Sequence, residues 1–285
     1  MFGFLNINKP SKMNSHKVIS ILRKITGEKQ IGHAGTLDPI ASGVLPVAVG
    51  KAAKLIDYLP SDKCYKVSMR LGFESDTYDI DGIVKRVSYV KAEKEQIDRV
   101  LKNFKGTIKQ TPPAFSAVHY NGKRLYQLAR AGNIPEDIPS REITIYENKL
   151  LEFDFEKQIL KLEISCSKGT YIRSIVNDIG KSLKTGAVMF ELIRTNSAGM
   201  SLKKSIDITE DLSISDIEKA LIKPQDVLTL GKIILNEDEY KYVLNGNKFK
   251  NPRNIEGELL LIKDDAVIAI AVADKDFIQP KKVLL

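Results

Sequence analysis

The stretch Gly32-His33-Ala34-Gly35-Thr36-Leu37-Asp38-Pro39-Ile40-Ala41-Ser42-Gly43-Val44-Leu45-Pro46 sets one carboxylate among residues with almost no side chain. Gly32, Ala34, Gly35, Ala41, Ser42 and Gly43 let the backbone, and whatever binds there, come close. Pro39 fixes its own φ and biases Asp38 toward an extended conformation. The sequence therefore holds a single acid in a tight, bent, uncrowded loop. Taken alone, the same run also describes a glycine-rich turn closed by an Asp side chain, so the decision rests on what accompanies it.

Four further motifs accompany it in chain order. They are Lys9-Pro10, then Lys63-Cys64-Tyr65-Lys66-Val67, then Leu71-Gly72 with Asp76-Thr77-Tyr78-Asp79-Ile80-Asp81-Gly82, then Ser167-Lys168-Gly169-Thr170-Tyr171-Ile172-Arg173-Ser174. Together with the Asp38 loop they resemble the TruB family of tRNA pseudouridine synthases. That family's G-H-x-G-x-L-D-P-x-A-x-G-x-L-P pattern is matched at every fixed position. The resemblance runs from about Phe4 to about Gly199 and continues more weakly to the C-terminus. There are two departures: Lys12 stands where the family has glycine, and Cys64 where a basic or polar residue is usual.

Length and composition agree with such a protein. A chain of 285 residues with 43% hydrophobic residues can bury one large core and one small one. No apolar run reaches transmembrane length, and the N-terminus carries no secretory pattern. Cys64 and Cys166 are too few for a disulfide framework and too far apart for a zinc motif. Cys166 falls in step with Leu160, Leu162 and Ile164 and reads as a core thiol. A cytoplasmic protein with reduced thiols is expected.

The charge is uneven. The net charge is +8, yet residues 229–285 carry nine groups of each sign, so the excess lies in residues 1–228. Residues 1–35 hold Lys9, Lys12, Lys17, Arg23, Lys24 and Lys29 against Glu28. Residues 105–141 hold Lys105, Lys109, Lys123, Arg124, Arg130 and Arg141 against Glu136 and Asp137. Two such patches suit a phosphate-rich partner, although a solvated basic surface shows the same pattern.

The periodicity predicts mixed elements. Phe2–Asn8 alternates as a strand. Ser15 can cap a helix carrying Val18, Ile21, Leu22 and Ile25 on one face, with Gly27 beyond its end. Tyr65–Leu71 and the Leu160–Cys166 run alternate as strands, and Ile97, Val100, Leu101 and Phe104 form a helical stripe. A second helix is expected to start near Thr170. The fold class is therefore α+β, a mixed and largely antiparallel sheet with packed helices, which is also what the resemblance implies. Residues 1–228 are expected to form the catalytic domain. Within it, about 107–141 makes a basic, proline- and glycine-marked excursion in which Tyr120 and Tyr126 interleave with Lys123 and Arg124. This excursion resembles the family's thumb-like insertion. Residues 229–285 contain a hairpin joined through Asp264-Asp265 and are expected to form a small PUA-like RNA-binding module or a structural cap.

The resemblance implies the chemistry. Uridine becomes pseudouridine when the N1–C1′ bond breaks, the base turns, and C5 joins C1′, with no cofactor. Asp38 matches the family's nucleophile, Tyr65 its aromatic lid over the base, and Arg173 the partner that aims the acid. Leu192 matches the apolar wall of the base pocket. His33 is expected at the gap left by the extruded base, and Tyr171, Lys9, Lys123, Arg124 and Arg130 are expected to contact RNA. No metal site is expected: His16, His33 and His119 fit no zinc spacing, and Asp76, Asp79 and Asp81 miss the EF-hand pattern and read as turn-shaping. The implied substrate is the TΨC stem-loop of tRNA, modified at uridine 55 by a monomer without an obligatory protein partner. A non-catalytic RNA chaperone and a guide-RNA-dependent synthase are the alternatives.

Overall fold

Strand β1 (Gly3–Lys9) is buried from Gly3 through Ile7 without a break, on both faces of its sheet. The computed structural model describes residues 1–209 and 211–284 and shows what covers each face. Leu5 and Ile7 pack into a core with Val18, Ile19 and Leu22, whereas Phe4 packs into a second core with Leu260, Ile262, Val267 and Ile270. The alternation read in the sequence is thus real, but no face is polar because C-terminal residues cover the back.

After β1 come α1 (Ser15–Thr26), β2 (Ile31–His33), β3 (Ser42–Val49), β4 (Lys63–Leu71), β5 (Phe73–Ser75), β6 (Val84–Arg86), α2 (Lys94–Lys102) and β7 (Gly106–Gln110). The small hairpin β8 (His119–Tyr120) and β9 (Lys123–Arg124) leads into α3 (Leu125–Arg130), β10 (Arg141–Asp154), β11 (Ile159–Cys166) and α4 (Ile172–Ser182). Next are β12 (Ala187–Ser197), β13 (Met200–Ser201), β14 (Ile206–Asp207), α5 (Ile214–Lys219) and α6 (Pro224–Val227). The main sheet has ten strands in the order β14-β1-β3-β12-β4-β11-β10-β7, with β13 paired to β12 and β2 to β3. Two of its pairs, β1 with β14 and β12 with β3, are parallel and the others antiparallel.

The C-terminal part contains β15 (Gly231–Ile234), α7 (Glu237–Leu244), β16 (Phe249–Lys250), β17 (Gly257–Lys263), β18 (Ala266–Ala273) and β19 (Phe277–Val283). Its five strands form a separate sheet in the order β15-β17-β18-β19-β16. One face closes over Ile233, Leu259, Leu261 and Ile278, and the other supplies the residues packed against Phe4, Val44 and Ala48.

Local chemistry sets the elements around the Asp38 loop. Asn14, not Ser15, caps α1: its Oδ1 accepts from the Lys17 N–H at 2.7 Å. Ser15 is therefore free for a tertiary role described below. Gly27 ends the helix at φ +69°, its N–H donating to Arg23 O at 3.0 Å. Helix α4 begins at Ile172 with Tyr171 in the cap position and no side chain capping it. Gly43 sits at φ +103°, and a Cβ there would lie 2.3 Å from Arg194 O, so glycine is what lets β3 pair in parallel with β12.

Gln110 and Arg141 are paired at the sheet edge, so the basic excursion leaves the sheet between them. It contains the β8–β9 hairpin and α3, and we call it the arm. Among the described residues no helix is long and apolar enough to cross a membrane.

Candidate active site

Asp38 lies in the loop between β2 and β3, and four neighbours fix that loop through its backbone. The Ser15 hydroxyl accepts from Leu37 N–H at 2.9 Å and donates to Leu37 O at 3.2 Å. Ser11 Oγ donates to Ile40 O at 2.8 Å, and Lys12 N–H to Pro39 O at 2.7 Å. Arg194, wholly buried on β12, donates to the carbonyls of Val44 at 2.7 Å and Gly35 at 3.0 Å. Small residues alone would leave this loop loose. The fixed donors and acceptors around it determine where the carboxylate stands.

Arg173, in the first turn of α4, grips that carboxylate. Its Nε and Nη2 donate to Asp38 Oδ2 and Oδ1 at 2.9 and 3.1 Å, the bidentate geometry of a strong charge-assisted pair. The remaining donors go to Thr77 O and Phe115 O, each at 3.1 Å, and Asp79 Oδ2 lies 3.5 Å from Nε. The Arg173 side chain is 6% exposed, Asp79 is 5% and Asp38 is 33%. The guanidinium and Asp79 are therefore buried beneath Asp38, which alone of the three opens toward solvent. Burial raises the Asp79 pKa, opposed by hydrogen bonding from Thr77 and the charge of Arg173.

A cleft of about 450 Å³ opens over Asp38. Tyr65, Leu192, Tyr171 and Lys63 line it together with Arg173. Phe115, Ser116, Ala117 and Tyr126 of the arm line it from the other side. Tyr65 is buried, which raises its pKa, while the adjacent Arg194 guanidinium acts in the opposite direction. Tyr65 and Arg194 are direct cross-strand partners.

The candidate residues thus separate. Asp38, Tyr65, Arg173, Tyr171 and Leu192 converge on one cleft. Lys9 does not line it. Its ammonium is wholly buried and donates to Pro10 O at 2.8 Å, Met13 O at 2.5 Å and Pro39 O at 3.5 Å, behind the Asp38 loop. A lysine spent on backbone carbonyls has no donor free for a ligand, so its part is to brace the loop. Desolvation lowers its pKa to about 8, partly offset by Asp38. His33, on β2, is paired with Val47 of β3 outside the cleft lining, and its buried Nδ1 has no partner. Burial and then the charge of Arg194 lower its pKa. Lys123 and Arg130 are exposed on the arm, Arg130 lying over the Tyr126 ring at 5.5 Å. Arg124 turns inward instead, its Nη1 donating to Ala117 O.

Arg194, Asp79 and Phe115 are the functional neighbours that sequence reading missed. Arg194 had a signal: it follows Leu192 by two positions on one strand, and so shares its face. Asp79 shapes its turn, Oδ1 accepting from Thr77 Oγ1 at 2.6 Å and Asp81 N–H at 3.1 Å, but the cation that its other oxygen meets is Arg173 on α4, not a basic side chain of the sheet. Phe115 contributes a backbone carbonyl, which no sequence pattern reveals. Among the described residues, no cluster of three His, Cys, Asp or Glu side chains could hold a metal ion.

Known proteins resemble this chain in sequence and in fold. The family model described as TruB family pseudouridylate synthase (N terminal domain) matches residues 23–172. A protein from Synechocystis sp. named tRNA pseudouridine synthase B is 41% identical over 93% of this chain and 90% of its own length. One of the same name from Caldanaerobacter subterraneus is 39% identical over 99% of this chain and 98% of its own. Among solved structures, a chain in a Cbf5-Nop10-Gar1 complex superposes with a TM-score of 0.74 at 26% identity, covering 100% of this chain and 85% of that one. The family match takes in the Asp38 loop, Tyr65 and the start of α4, and the relatives extend it over nearly the whole length: this chain belongs to the TruB family of pseudouridylate synthases.

Proposed function

We propose that this chain isomerises uridine 55 to pseudouridine in the TΨC loop of tRNA, acting alone as a cytoplasmic monomer. The relatives named tRNA pseudouridine synthase B support the substrate class. The observation that carries the reading is the bidentate Asp38–Arg173 pair at the base of a cleft of about 450 Å³.

The residues divide the work. The target nucleotide leaves the loop stack and enters the cleft. Asp38 faces the sugar and base, either attacking at C1′ or C6 or balancing positive charge at C1′. Arg173 prevents the carboxylate from rotating, so little reorganisation is needed when the bond breaks. The detached uracil stays between Tyr65 and Leu192, turns, and bonds through C5 to C1′. The C5 proton leaves and N1 ends protonated, so the product is an isomer and no redox partner enters. Burial holds Tyr65 as the phenol; its ring stacks on the base and its hydroxyl passes a proton rather than acting as a strong base. Residues 1–228 would carry this chemistry and residues 229–285 would serve as the PUA-like module.

Incubating purified protein with unmodified tRNA transcript, followed by mapping of pseudouridine, tests the reading. Conversion at position 55 without added protein or RNA is the expected result. No conversion overturns it, and conversion only with a guide RNA replaces it with the guide-dependent alternative.

A further inference from the structure

The cleft carries more positive charge than its own carboxylate uses. Arg173, Arg141 and Lys63 line it, and Asp38 is the one acidic lining residue. Arg173 is committed to Asp38, Asp79 and two carbonyls. Among the described residues, neither Lys63 nor Arg141 forms an ion pair with a carboxylate. Arg141 donates from Nη2 to Gly169 O at 2.6 Å and lies over the Tyr171 ring at 4.8 Å, while its buried Nε has no acceptor. Ser116, 4% exposed, lines the same cleft, and its buried Oγ also lacks a partner. The uncapped N-terminus of α4 borders this space through Gly169, Thr170 and Tyr171. A buried donor without an acceptor is costly, and two such groups, Arg141 Nε and Ser116 Oγ, belong to residues that line this one cleft.

We propose that Lys63, Arg141 and the Ser116 hydroxyl form a phosphate subsite, which takes a backbone phosphodiester flanking the nucleotide turned toward Asp38. The proposal rests on the RNA reading above. Uracil and ribose are uncharged, so the phosphodiester is the one anion such a substrate brings into the cleft. Arg141 offers the planar fork that matches phosphate oxygens, and Lys63 a point charge. Burial and the nearby Arg194 lower the Lys63 pKa, the condition of a cation that an arriving anion would relieve. The subsite also fits the division of labour at the cleft: binding energy from a phosphate beside the reacting sugar fixes C1′ over Asp38.

The test uses a synthetic TΨC stem-loop with an uncharged methylphosphonate replacing the phosphate on the 5′ or the 3′ side of the target uridine. One of the two replacements is expected to weaken binding to the wild-type protein about tenfold, with a salt slope shallower by about 0.7. Lys63→Met and Arg141→Met are each expected to weaken binding of the natural stem-loop by about tenfold, yet to lose little more on the neutral linkage. Lys63→Arg, which keeps the charge, should bind nearly as wild type does. Variants that still distinguish the neutral linkage as strongly as wild type overturn the proposal. So does wild-type protein that binds all three RNAs equally, a result independent of whether any variant folds. Because the subsite is read from binding and the proposed function from pseudouridine formation by wild type, the two fail separately.

Discussion

Arg173 on α4 holds both oxygens of Asp38, 135 residues away in the chain, at 2.9 and 3.1 Å. The same guanidinium faces Asp79 at 3.5 Å. One cation therefore serves two carboxylates of unequal exposure. The buried one anchors the guanidinium, and the more exposed one is held at a fixed angle above it.

Asp38→Asn should abolish isomerisation, by about a thousandfold or more, while leaving tRNA affinity within about twofold. Arg173 keeps Asp79, Thr77 O and Phe115 O, so the fold survives the change. Arg173→Lys should lower kcat about a hundredfold with a smaller change in KM, because an ammonium cannot make the bidentate pair. Single-turnover conversion and filter binding measure both, and appreciable turnover by Asp38→Asn would remove Asp38 from the chemistry.

Tyr65 separates stacking from proton transfer. Tyr65→Phe should bind tRNA normally and convert it more slowly, by about ten- to a hundredfold, and Tyr65→Ala should be slower still. Full activity in Tyr65→Phe would leave the ring as a stacking surface only.

The arm should show two kinds of basic residue. Lys123→Ala and Arg130→Ala should each weaken tRNA binding and flatten its salt dependence by about one unit per lost phosphate contact, with little effect at saturating tRNA. Arg124 braces Ala117, which lines the cleft, so Arg124→Ala should also lower the rate at saturation. Identical behaviour of all three would mean that the arm acts only as a charged surface.

Lys9 gives a pH dependence. Its folded pKa, about 8, lies below the 10.5 of a lysine in water. Below pH 8 both states carry the proton and burial of the charge opposes folding in full. Between pH 8 and 10.5 the unfolded chain binds more protons than the folded one, so this group's contribution to stability rises with pH. Lys9→Met should therefore be more destabilising at pH 10.5 than at pH 7.5, by on the order of 3 kcal/mol, as read from urea midpoints. A constant difference across the range would show that Lys9 remains charged behind the loop.

Lys12 occupies φ +64°, a conformation that suits the glycine of the family pattern. Lys12→Gly should relieve the strain and raise stability by about 0.5 kcal/mol after the gain in unfolded-state freedom is counted. Thermal melting checks the sign. A lower melting temperature would mean that the lysine side chain itself holds the turn.

The sequence by itself determined several of the elements and the candidate acid. Periods of two and of 3.6 residues located β1, β4, β11, α1 and α2 because burial imposes those periods on a chain locally. The run from Gly32 to Pro46 singled out Asp38 only together with the four accompanying motifs, its small residues leaving room for a ligand there. What only the tertiary structure decided is who meets Asp38 and how. Hydrogen bonding at the helix start chose Asn14 as the cap and released Ser15 to hold Leu37. Lys9, read as an RNA contact, was drawn behind the loop because three carbonyls converge there. The Arg194 contacts to Gly35 and Val44, the turn of Asp79 to Arg173 and the Phe115 carbonyl depend on strand order and on where the arm folds back. Such contacts join residues far apart in sequence, and no local pattern encodes a distance between them.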